Sequence, residues 1–214
     1  MTTFDAAIFD LDGLLIDTER LAIGAGQEVL AALGLPPPSG LFESLVGKDD
    51  ATSARLVAAH FGPAFPLVEF GTRWNALFAE KLAGGIPLRP GAIELLDALH
   101  AIDLPRAVAT SSRRESAHRK LALTGLSQRF ATVVTVDCIT NPKPAPDPYL
   151  QAAHRLGVSP ARCIAFEDSD TGAAAAHAAG MIVVQVPDML ATDGRHAHHL
   201  APDLMTGARM AGLI

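Results

Sequence analysis

Along most of this chain, uninterrupted runs of apolar residues alternate with segments in which apolar residues recur at the spacing of a helix. The first run, AAIF at residues 6–9, ends abruptly at Asp10-Leu11-Asp12-Gly13. A short continuous apolar run closed by a turn is typical of a strand buried on both faces of a parallel sheet. Runs of similar character recur at 106–110, 132–136, 163–166 and 182–186.

Segments with helical spacing separate these predicted strands. The pattern predicts helices at 92–102, 113–123, 147–156 and 172–179. Five strands that alternate with helices are the pattern of a doubly wound parallel α/β sheet. We therefore predict that fold class.

Residues 18–85 break the alternation, because they hold only helical patterns, at 18–33, 51–61 and about 67–82. We predict an α/β catalytic core of residues 1–16 and 87–214, with residues 17–86 inserted as a helical cap. Ligands of such sheets bind beyond the carboxyl ends of the strands. An insertion directly after the first strand is therefore a candidate lid over the ligand site.

Composition excludes several classes of protein. Of the 214 residues, 49% are hydrophobic and 19% charged, which suits a globular core, and the formal net charge is −6. The absence of a basic block argues against nucleic-acid binding, and no apolar run is long enough to span a membrane. The chain opens on a predicted strand rather than a signal peptide, and its two cysteines are too few for a disulfide framework. We expect a reduced, cytoplasmic monomer without nucleic-acid or membrane partners.

Polar residues follow the first four predicted strands, and each group alone would fit a turn, a helix cap or a solvated surface. The groups are Asp10 with Asp12, Thr110 to Ser112, Lys143, and Glu167 with Asp168. Parallel strands end at one edge of the sheet, so these groups should converge there. Neighbouring carboxylates cannot all stay ionised without a positive partner. Hard oxygen ligands suit Mg²⁺, which we predict as the cofactor.

The same edge should also bind an anion. We expect the second core helix to start after Ser111, so that its free N–H groups can hold an anion, and Lys143 adds positive charge. Mg²⁺ together with an anion clamp indicates phosphoryl transfer. An unshielded aspartate then makes an aspartyl-phosphate the natural intermediate.

Other motifs fail on spacing. A calcium loop needs Gly at its sixth position and Glu at its twelfth, whereas Gly13 is fourth and Leu21 twelfth. A phosphate-binding P-loop needs Ser or Thr after Gly47-Lys48, where Asp49 stands. Gly24-Ala25-Gly26 lacks the third glycine of a dinucleotide fingerprint and is better explained as small residues in a helix.

Four motifs in order resemble the haloacid dehalogenase superfamily. They are D-x-D-G-x-x-x-D-[ST] at 10–18, Thr-Ser at 110–111 after a strand, Lys-Pro at 143–144, and E-D-S-x-x-G at 167–172. More narrowly, the chain resembles the phosphatase and phosphomutase branch, whose helical cap is inserted after the first motif. The resemblance covers almost the whole chain. The namesake dehalogenases lack the second aspartate of the first motif, so Asp12 speaks against dehalogenase activity.

The resemblance implies a role for each motif residue. Asp10 would be the nucleophile, and Asp12 would protonate the leaving alcohol and then activate water. Thr110 and the backbone of Ser111 would hold the phosphoryl oxygens, and Lys143 would neutralise their charge.

The resemblance also implies a metal site. The ligands would be Asp10, the backbone carbonyl of Asp12 and Asp168, with Glu167 in or next to the coordination shell. Family resemblance further implies a cis Lys143–Pro144 bond. Lys48 lies where relatives place substrate-contacting cap residues, although a surface lysine at a helix start is an equal explanation. We interpret His196, His198 and His199 as solvated surface.

We predict a Mg²⁺-dependent phosphomonoester hydrolase acting on a small phosphorylated metabolite, with sugar phosphates among the candidates. The alternatives are a sugar phosphomutase of the β-phosphoglucomutase type and a non-catalytic domain on the same fold. Intact motifs argue against the latter. Relatives with mutase activity carry a His where this chain has Ala22, and an Arg near Asp50. Both differences favour hydrolysis.

Overall fold

The structure is a computed structural model that describes residues 4–46 and 50–214. It divides the chain into two compact units. One comprises Met1–Asp17 and Pro87–Ile214, and the other comprises Thr18–Ile86. The first unit contains the sheet.

Six strands form one sheet in the order β3-β2-β1-β4-β5-β6, and every neighbouring pair is parallel. The strands are β1 Ala6–Phe9, β2 Arg106–Ala109, β3 Thr132–Val134, β4 Cys163–Glu167, β5 Ile182–Gln185 and β6 His199–Leu200. The predicted doubly wound parallel sheet is therefore confirmed. The chain runs outward from β1 in one direction and then returns to β4, so the order reverses between these two central strands, where such sheets place their ligands.

Helices connect the strands of the sheet and make up the second unit. They are α1 Glu19–Ala32, α2 Asp50–Phe61, α3 Leu67–Ala83, α4 Ala92–Ala101, α5 Arg114–Leu123, α6 Asp147–Leu156, α7 Asp170–Ala178 and α8 Leu204–Met210. One-turn 3₁₀ helices lie at Glu43–Leu45, Val136–Cys138 and Pro160–Arg162.

The central strands are apolar because both of their faces are covered. Every residue of β1 and β4 is buried, and the rings of Phe9 and Phe166 stack with centroids 4.9 Å apart. Helix α7 is rich in alanine, and Ala173, Ala175 and Ala176 are fully buried. Small side chains let a helix approach the sheet closely, which keeps the ends of the central strands in fixed positions.

Strand β6 corrects the prediction of five strands. It is only two residues long, so the hydrophobic pattern did not reveal it. The imidazole of His198 accepts a hydrogen bond from the backbone N–H of Val183 at 3.0 Å, and the N–H of His198 donates to the carbonyl of Val183 at 2.8 Å. Of the histidines predicted to be solvated, His198 is exposed and His196 and His199 are half-buried, and His198 also holds this sheet edge through its two contacts with Val183.

The described residues of the second unit form helices and connecting turns, with no strand among them. Phe42 and Phe70 pack against the indole of Trp74, which donates a hydrogen bond to the carbonyl of Ala22 at 2.7 Å. Trp74 is thus partly buried against the apolar core of this unit. Gly24 and Gly26 lie inside α1, as predicted for small residues in a helix.

Within the part of the chain that the structure describes, no helix combines the length and apolar character needed to cross a bilayer.

Two glycines on α1 allow a matched test of packing in the second unit. A Cβ atom at Gly26 would lie 2.2 Å from the ring of Phe42, whereas a Cβ at Gly24 would have no atom within 4 Å. We predict that Gly26→Ala lowers the free energy of unfolding by about 1–3 kcal/mol through overpacking. Gly24→Ala should raise it by about 0.5–1 kcal/mol.

Urea unfolding followed by the fluorescence of Trp74, the single tryptophan of the chain, reports on this unit directly. Equal effects of the two substitutions would contradict the packing described for Phe42.

Candidate active site

Three carboxylates gather where the central strands end. Asp10 directly follows β1, and its backbone N–H donates to the carbonyl of Phe166 at 3.0 Å, which extends the pairing with β4. Glu167 is the last residue of β4 and is fully buried, and Asp168 follows it. One carboxylate oxygen from each of Asp10, Glu167 and Asp168 lies within 4.8 Å of the others. The adjacent strands thus bring two separate motifs to one point.

Lys143 provides the positive charge for this group. Its Nζ atom lies 2.5 Å from Oδ1 of Asp10 and 2.5 Å from Oε1 of Glu167. The Lys143 side chain is only 5% exposed, so both ion pairs are shielded from solvent. The Lys143–Pro144 bond is cis, as predicted. The backbone N–H and side-chain amide of Asn141 both donate to Asp147 at the start of α6, which anchors the segment that carries Lys143.

Tyr149 is a site residue that the sequence analysis missed. It lies on α6, is fully buried, and its hydroxyl donates a hydrogen bond to Oε1 of Glu167. Nζ of Lys143 lies 5.2 Å from the centre of its ring, within the range of a cation–π interaction. A buried tyrosine usually has a hydrogen-bond partner for its hydroxyl. This general tendency was the signal in the sequence that Tyr149 contacts a polar residue.

The side chain of Asp12 has different partners from that of Asp10. Oδ1 of Asp12 lies 2.7 Å from Nζ of Lys120, and Oδ2 accepts a hydrogen bond of 2.8 Å from the hydroxyl of Ser112. The carboxylate of Asp12 is therefore held by Lys120 of α5 and by Ser112 of the segment that follows β2.

Lys120 was also missed. It occupies the buried face of α5 with Ala117 and Leu121, at the spacing of an apolar stripe. A lysine inside such a stripe is unusual unless it is paired, and that was the signal in the sequence.

Helix α5 begins at Arg114, within one residue of the predicted start at 113. The backbone N–H of Arg114 donates to the carboxylate of Asp137 at 2.6 Å. A carboxylate that accepts from a first-turn amide satisfies it as a cap does. Ser111 lies in the bend before α5, so any anion contact of its backbone N–H would come from that bend. Thr110 is buried, and its Oγ1 accepts a hydrogen bond from Ser112 N at 3.0 Å.

Two glycines leave space for the carboxylates. A Cβ atom at Gly172 would lie 1.9 Å from Oε1 of Glu167, and one at Gly13 would lie 2.2 Å from Oδ2 of Asp168. Gly13 also has φ of +87°, a left-handed conformation that glycine adopts without strain. Both glycines of the recognised motifs are thus required by packing against the acids.

Lys48, the predicted cap residue, lies outside the described residues.

A family model described as haloacid dehalogenase-like hydrolase matches residues 7–186, most of the chain. The chain belongs to that family. The predicted superfamily is confirmed, and the structure has its fold.

Among curated relatives of this haloacid dehalogenase-like hydrolase, one from Drosophila melanogaster is named "Probable pseudouridine-5'-phosphatase". It is 36% identical over 197 residues, covering 89% of this chain and 85% of the relative. The fructose-1-phosphate phosphatase of Escherichia coli strain K12 is 34% identical over 187 residues, covering 84% of this chain and 94% of the relative. These phosphatases confirm the predicted enzyme class, a hydrolase acting on phosphoric monoesters.

A similar solved structure is that of a "putative beta-phosphoglucomutase" from Thermotoga maritima. It superposes with a TM-score of 0.83 at 27% identity and covers 98% of this chain and 100% of that chain. This similarity supports the fold.

Burial has a large effect on the pKa of Asp10 in this hydrolase. It raises the pKa of Asp10 from its ordinary value of 3.8 to about 7, because the ammonium of Lys143 only partly offsets the loss of hydration and the charge of Glu167. Burial alone would lower the pKa of Lys143, but the carboxylates of Asp10 and Glu167 outweigh it and raise that pKa. Burial and the charge of Glu167 also raise the pKa of Tyr149, so its hydroxyl stays a donor.

The residues present fit a divalent cation. Three carboxylates within 4.8 Å of one another match the hard oxygen ligands and the small site that Mg²⁺ requires. Burial is the main cause of the raised pKa of Asp10, and a bound cation would favour the charged form of this poorly hydrated carboxylate.

The raised pKa of Asp10 predicts how Mg²⁺ affects stability. A ligating carboxylate must lose its proton, so stabilisation by Mg²⁺ should grow as the pH rises through about 7. At a free Mg²⁺ concentration one hundred times its dissociation constant, the gain should approach about 2.7 kcal/mol. Without Mg²⁺, the contribution of Asp10 to stability changes with pH in the opposite direction. Because its pKa is raised, Asp10 contributes stability that is complete below pH 3.8 and is lost as the pH rises through about 7.

Thermal unfolding at pH 5.5 and 8, with and without Mg²⁺, measures both effects. Asp168→Asn should remove most of the Mg²⁺ effect. Asp97→Asn is the control, because Asp97 is 57% exposed and pairs with Arg129. An equal Mg²⁺ effect in the wild-type protein and Asp168→Asn would contradict the metal site.

Proposed function

We propose that this protein is a Mg²⁺-dependent phosphomonoester hydrolase that acts on a small phosphorylated metabolite through an aspartyl-phosphate on Asp10. The observation that carries the proposal is the buried group formed by Asp10, Lys143 and Glu167 at the ends of β1 and β4. The names of the two curated relatives specify phosphate esters of sugar-containing compounds. Sugar phosphates are therefore the first substrates to test.

Asp10 is the proposed nucleophile. One of its oxygens attacks phosphorus, a new P–O bond forms, and the bond from phosphorus to the leaving oxygen breaks. The Lys143 contact at 2.5 Å holds the Asp10 carboxylate in one orientation before attack. Lys143 also compensates the negative charge that would otherwise repel the phosphate.

Thr110, Ser111 and Lys143 are proposed to hold the phosphoryl oxygens. Oγ1 of Thr110 accepts a hydrogen bond from Ser112 N, so the hydroxyl proton of Thr110 is left to donate. The backbone N–H of Ser111 is proposed to supply a second donor from the bend before α5. Together these donors fix the phosphoryl group for in-line attack.

Asp12 is proposed to move the protons. It gives a proton to the leaving alcohol in the first half of the reaction and takes one from the attacking water in the second. Water then breaks the bond between phosphorus and Asp10, which releases inorganic phosphate and restores the carboxylate. Mg²⁺ held by Asp10, the carbonyl of Asp12 and Asp168, with Glu167 beside it, would shield the charge of the transferred group.

The unit formed by Thr18–Ile86 is proposed to act as the cap that selects the substrate and excludes water. Lys48 is the proposed substrate contact from that unit. The two cysteines are free thiols, which agrees with a cytoplasmic, reducing environment.

A sugar phosphomutase is the second candidate, because the Thermotoga maritima structure of that name resembles the whole chain. A mutase must keep water from the aspartyl-phosphate and return the phosphoryl group to a sugar. At the position where mutase relatives carry a His, this chain has Ala22, whose methyl group can neither donate a hydrogen bond nor titrate. Asp50 stands near the position of the mutase arginine and would repel a second phosphate. Both positions favour hydrolysis.

Replacing Asp10 tests the nucleophile. We predict that Asp10→Asn lowers kcat by at least about a thousand-fold, because an amide cannot form the phosphoenzyme. Release of inorganic phosphate from fructose 1-phosphate and from an aryl phosphate measures the loss. Asp97→Asn should keep wild-type turnover, and substantial activity in Asp10→Asn would remove Asp10 as the nucleophile.

A product assay separates the two candidate reactions. With β-glucose 1-phosphate and Mg²⁺, we expect release of inorganic phosphate and no productive formation of glucose 6-phosphate. Formation of glucose 6-phosphate that a glucose bisphosphate stimulates, and that outpaces phosphate release, would reverse the assignment.

A further inference from the structure

Lys120 is a buried lysine to which the proposed reaction gives no task. Among the described lysines, the side chains of Lys120 and Lys143 are 9% and 5% exposed, whereas that of Lys81 is 25% exposed. Burying an ammonium is costly unless it is paired and hydrogen-bonded. Lys143 is paired with Asp10. By the same reasoning, the partners of Lys120 indicate which residue Lys120 supports.

Lys120, Ser112 and Asp12 form a closed triangle of contacts. Nζ of Lys120 lies 2.7 Å from Oδ1 of Asp12 and donates to the hydroxyl of Ser112 at 3.0 Å. That hydroxyl in turn donates to Oδ2 of Asp12 at 2.8 Å. Both oxygens of the carboxylate are engaged, so its plane and direction are fixed.

The position of Lys120 on α5 explains how it reaches Asp12. Helical side chains point toward the N-terminus of their helix, and Lys120 lies on the buried face with Ala117. A long side chain from this turn runs back along the helix to the segment before Arg114, where Ser112 lies. The same segment follows β2, the parallel neighbour of β1, so it meets the chain just after Asp10.

We propose that Lys120 is a positioning residue for Asp12. With Ser112, it holds the Asp12 carboxylate at the place from which a proton passes to the leaving oxygen, while Lys143 serves Asp10. Each of the two aspartates thus has its own buried lysine. This inference rests on the proposed function, since it assigns Asp12 the acid–base role.

The dependence of kcat/KM on the leaving group distinguishes a positioning role from a structural one. A merely structural role of Lys120 would not change that dependence. An alkoxide is a poor leaving group and depends on a placed proton donor, whereas a dinitrophenolate departs without one. The value of kcat/KM covers steps up to the first irreversible one, here formation of the phosphoenzyme. If Asp12 is no longer held in position, kcat/KM should therefore fall most for the esters whose leaving oxygen most needs a proton.

The test compares kcat/KM for glycerol phosphate, phenyl phosphate and 2,4-dinitrophenyl phosphate. For Lys120→Met we expect a loss of roughly ten-fold or more on the alkyl ester and about two-fold or less on the dinitrophenyl ester. Lys120→Arg should recover part of the loss, because it keeps a charged donor. Asp12→Ala gives the full effect of losing the acid, and Lys81→Met is the matched control, since Lys81 pairs with Glu28 near the surface.

An equal loss across the three esters in Lys120→Met, or no loss, overturns the positioning role while leaving the proposed function intact. An equal loss of kcat/KM on all three esters in Asp12→Ala overturns both the positioning role of Lys120 and the proposed acid role of Asp12, because Lys120 would then have no acid to position. Should Lys120→Met fail to fold, as judged by its thermal unfolding, Ser112→Ala removes the other contact to Asp12. The same graded loss is expected there, and a flat response overturns the proposal.

Discussion

The ion pairs of Lys143 are the interaction on which the site depends. Two central strands end side by side, so Asp10 and Glu167 are forced together in a buried position. Buried carboxylates at this separation are strongly unfavourable unless a cation lies between them, and removing one member of a buried charge group leaves the others uncompensated. Lys143 provides that charge at 2.5 Å from each acid.

Several features of the fold serve this charge balance. Gly172 leaves room for the carboxylate of Glu167, and Tyr149 donates to the same carboxylate from α6. The helix that carries Tyr149 begins at Asp147, which also anchors Asn141 at the start of the lysine segment. These residues come from different parts of the chain and share one requirement, a fixed arrangement of buried charge.

Asp10 and Asp12 show how two nearby carboxylates acquire different environments. Burial, partly offset by the ammonium of Lys143, raises the pKa of Asp10 to about 7. The side chain of Asp12 is 25% exposed and is held by Ser112 and Lys120. Environments that separate two carboxylates in this way are the usual basis for assigning them different roles in one reaction.

Much of the fold could be predicted from the sequence, because its strands are buried on both faces and appear as continuous apolar runs. AAIF and CIAF mark β1 and β4, and the turn residues that follow them place the acids at one edge of the sheet. Strand β6 escaped prediction because two residues give no periodicity, and its pairing depends on His198. Pattern alone therefore finds long buried elements and misses short edge ones.

The site could be predicted only where residues act next to a strand end. Lys120 and Tyr149 lie within helices, and their partners are 108 and 18 positions away in the sequence. Such contacts arise from packing between elements, which a single sequence does not reveal. Their one local signal is a polar group on a buried helix face, as with Lys120 on α5. The contact of Asp137 with the backbone N–H of Arg114 at the start of α5 is of the same kind, since it joins two distant segments.

Trapping the phosphoenzyme tests the central claim most directly. The protein would be mixed with a phosphomonoester and Mg²⁺, quenched in acid within one turnover, digested and analysed by mass spectrometry. We predict one added phosphoryl group on the peptide that contains Asp10, removed by hydroxylamine as expected for an acyl phosphate. Turnover without label at Asp10, or label on another residue, would contradict the account.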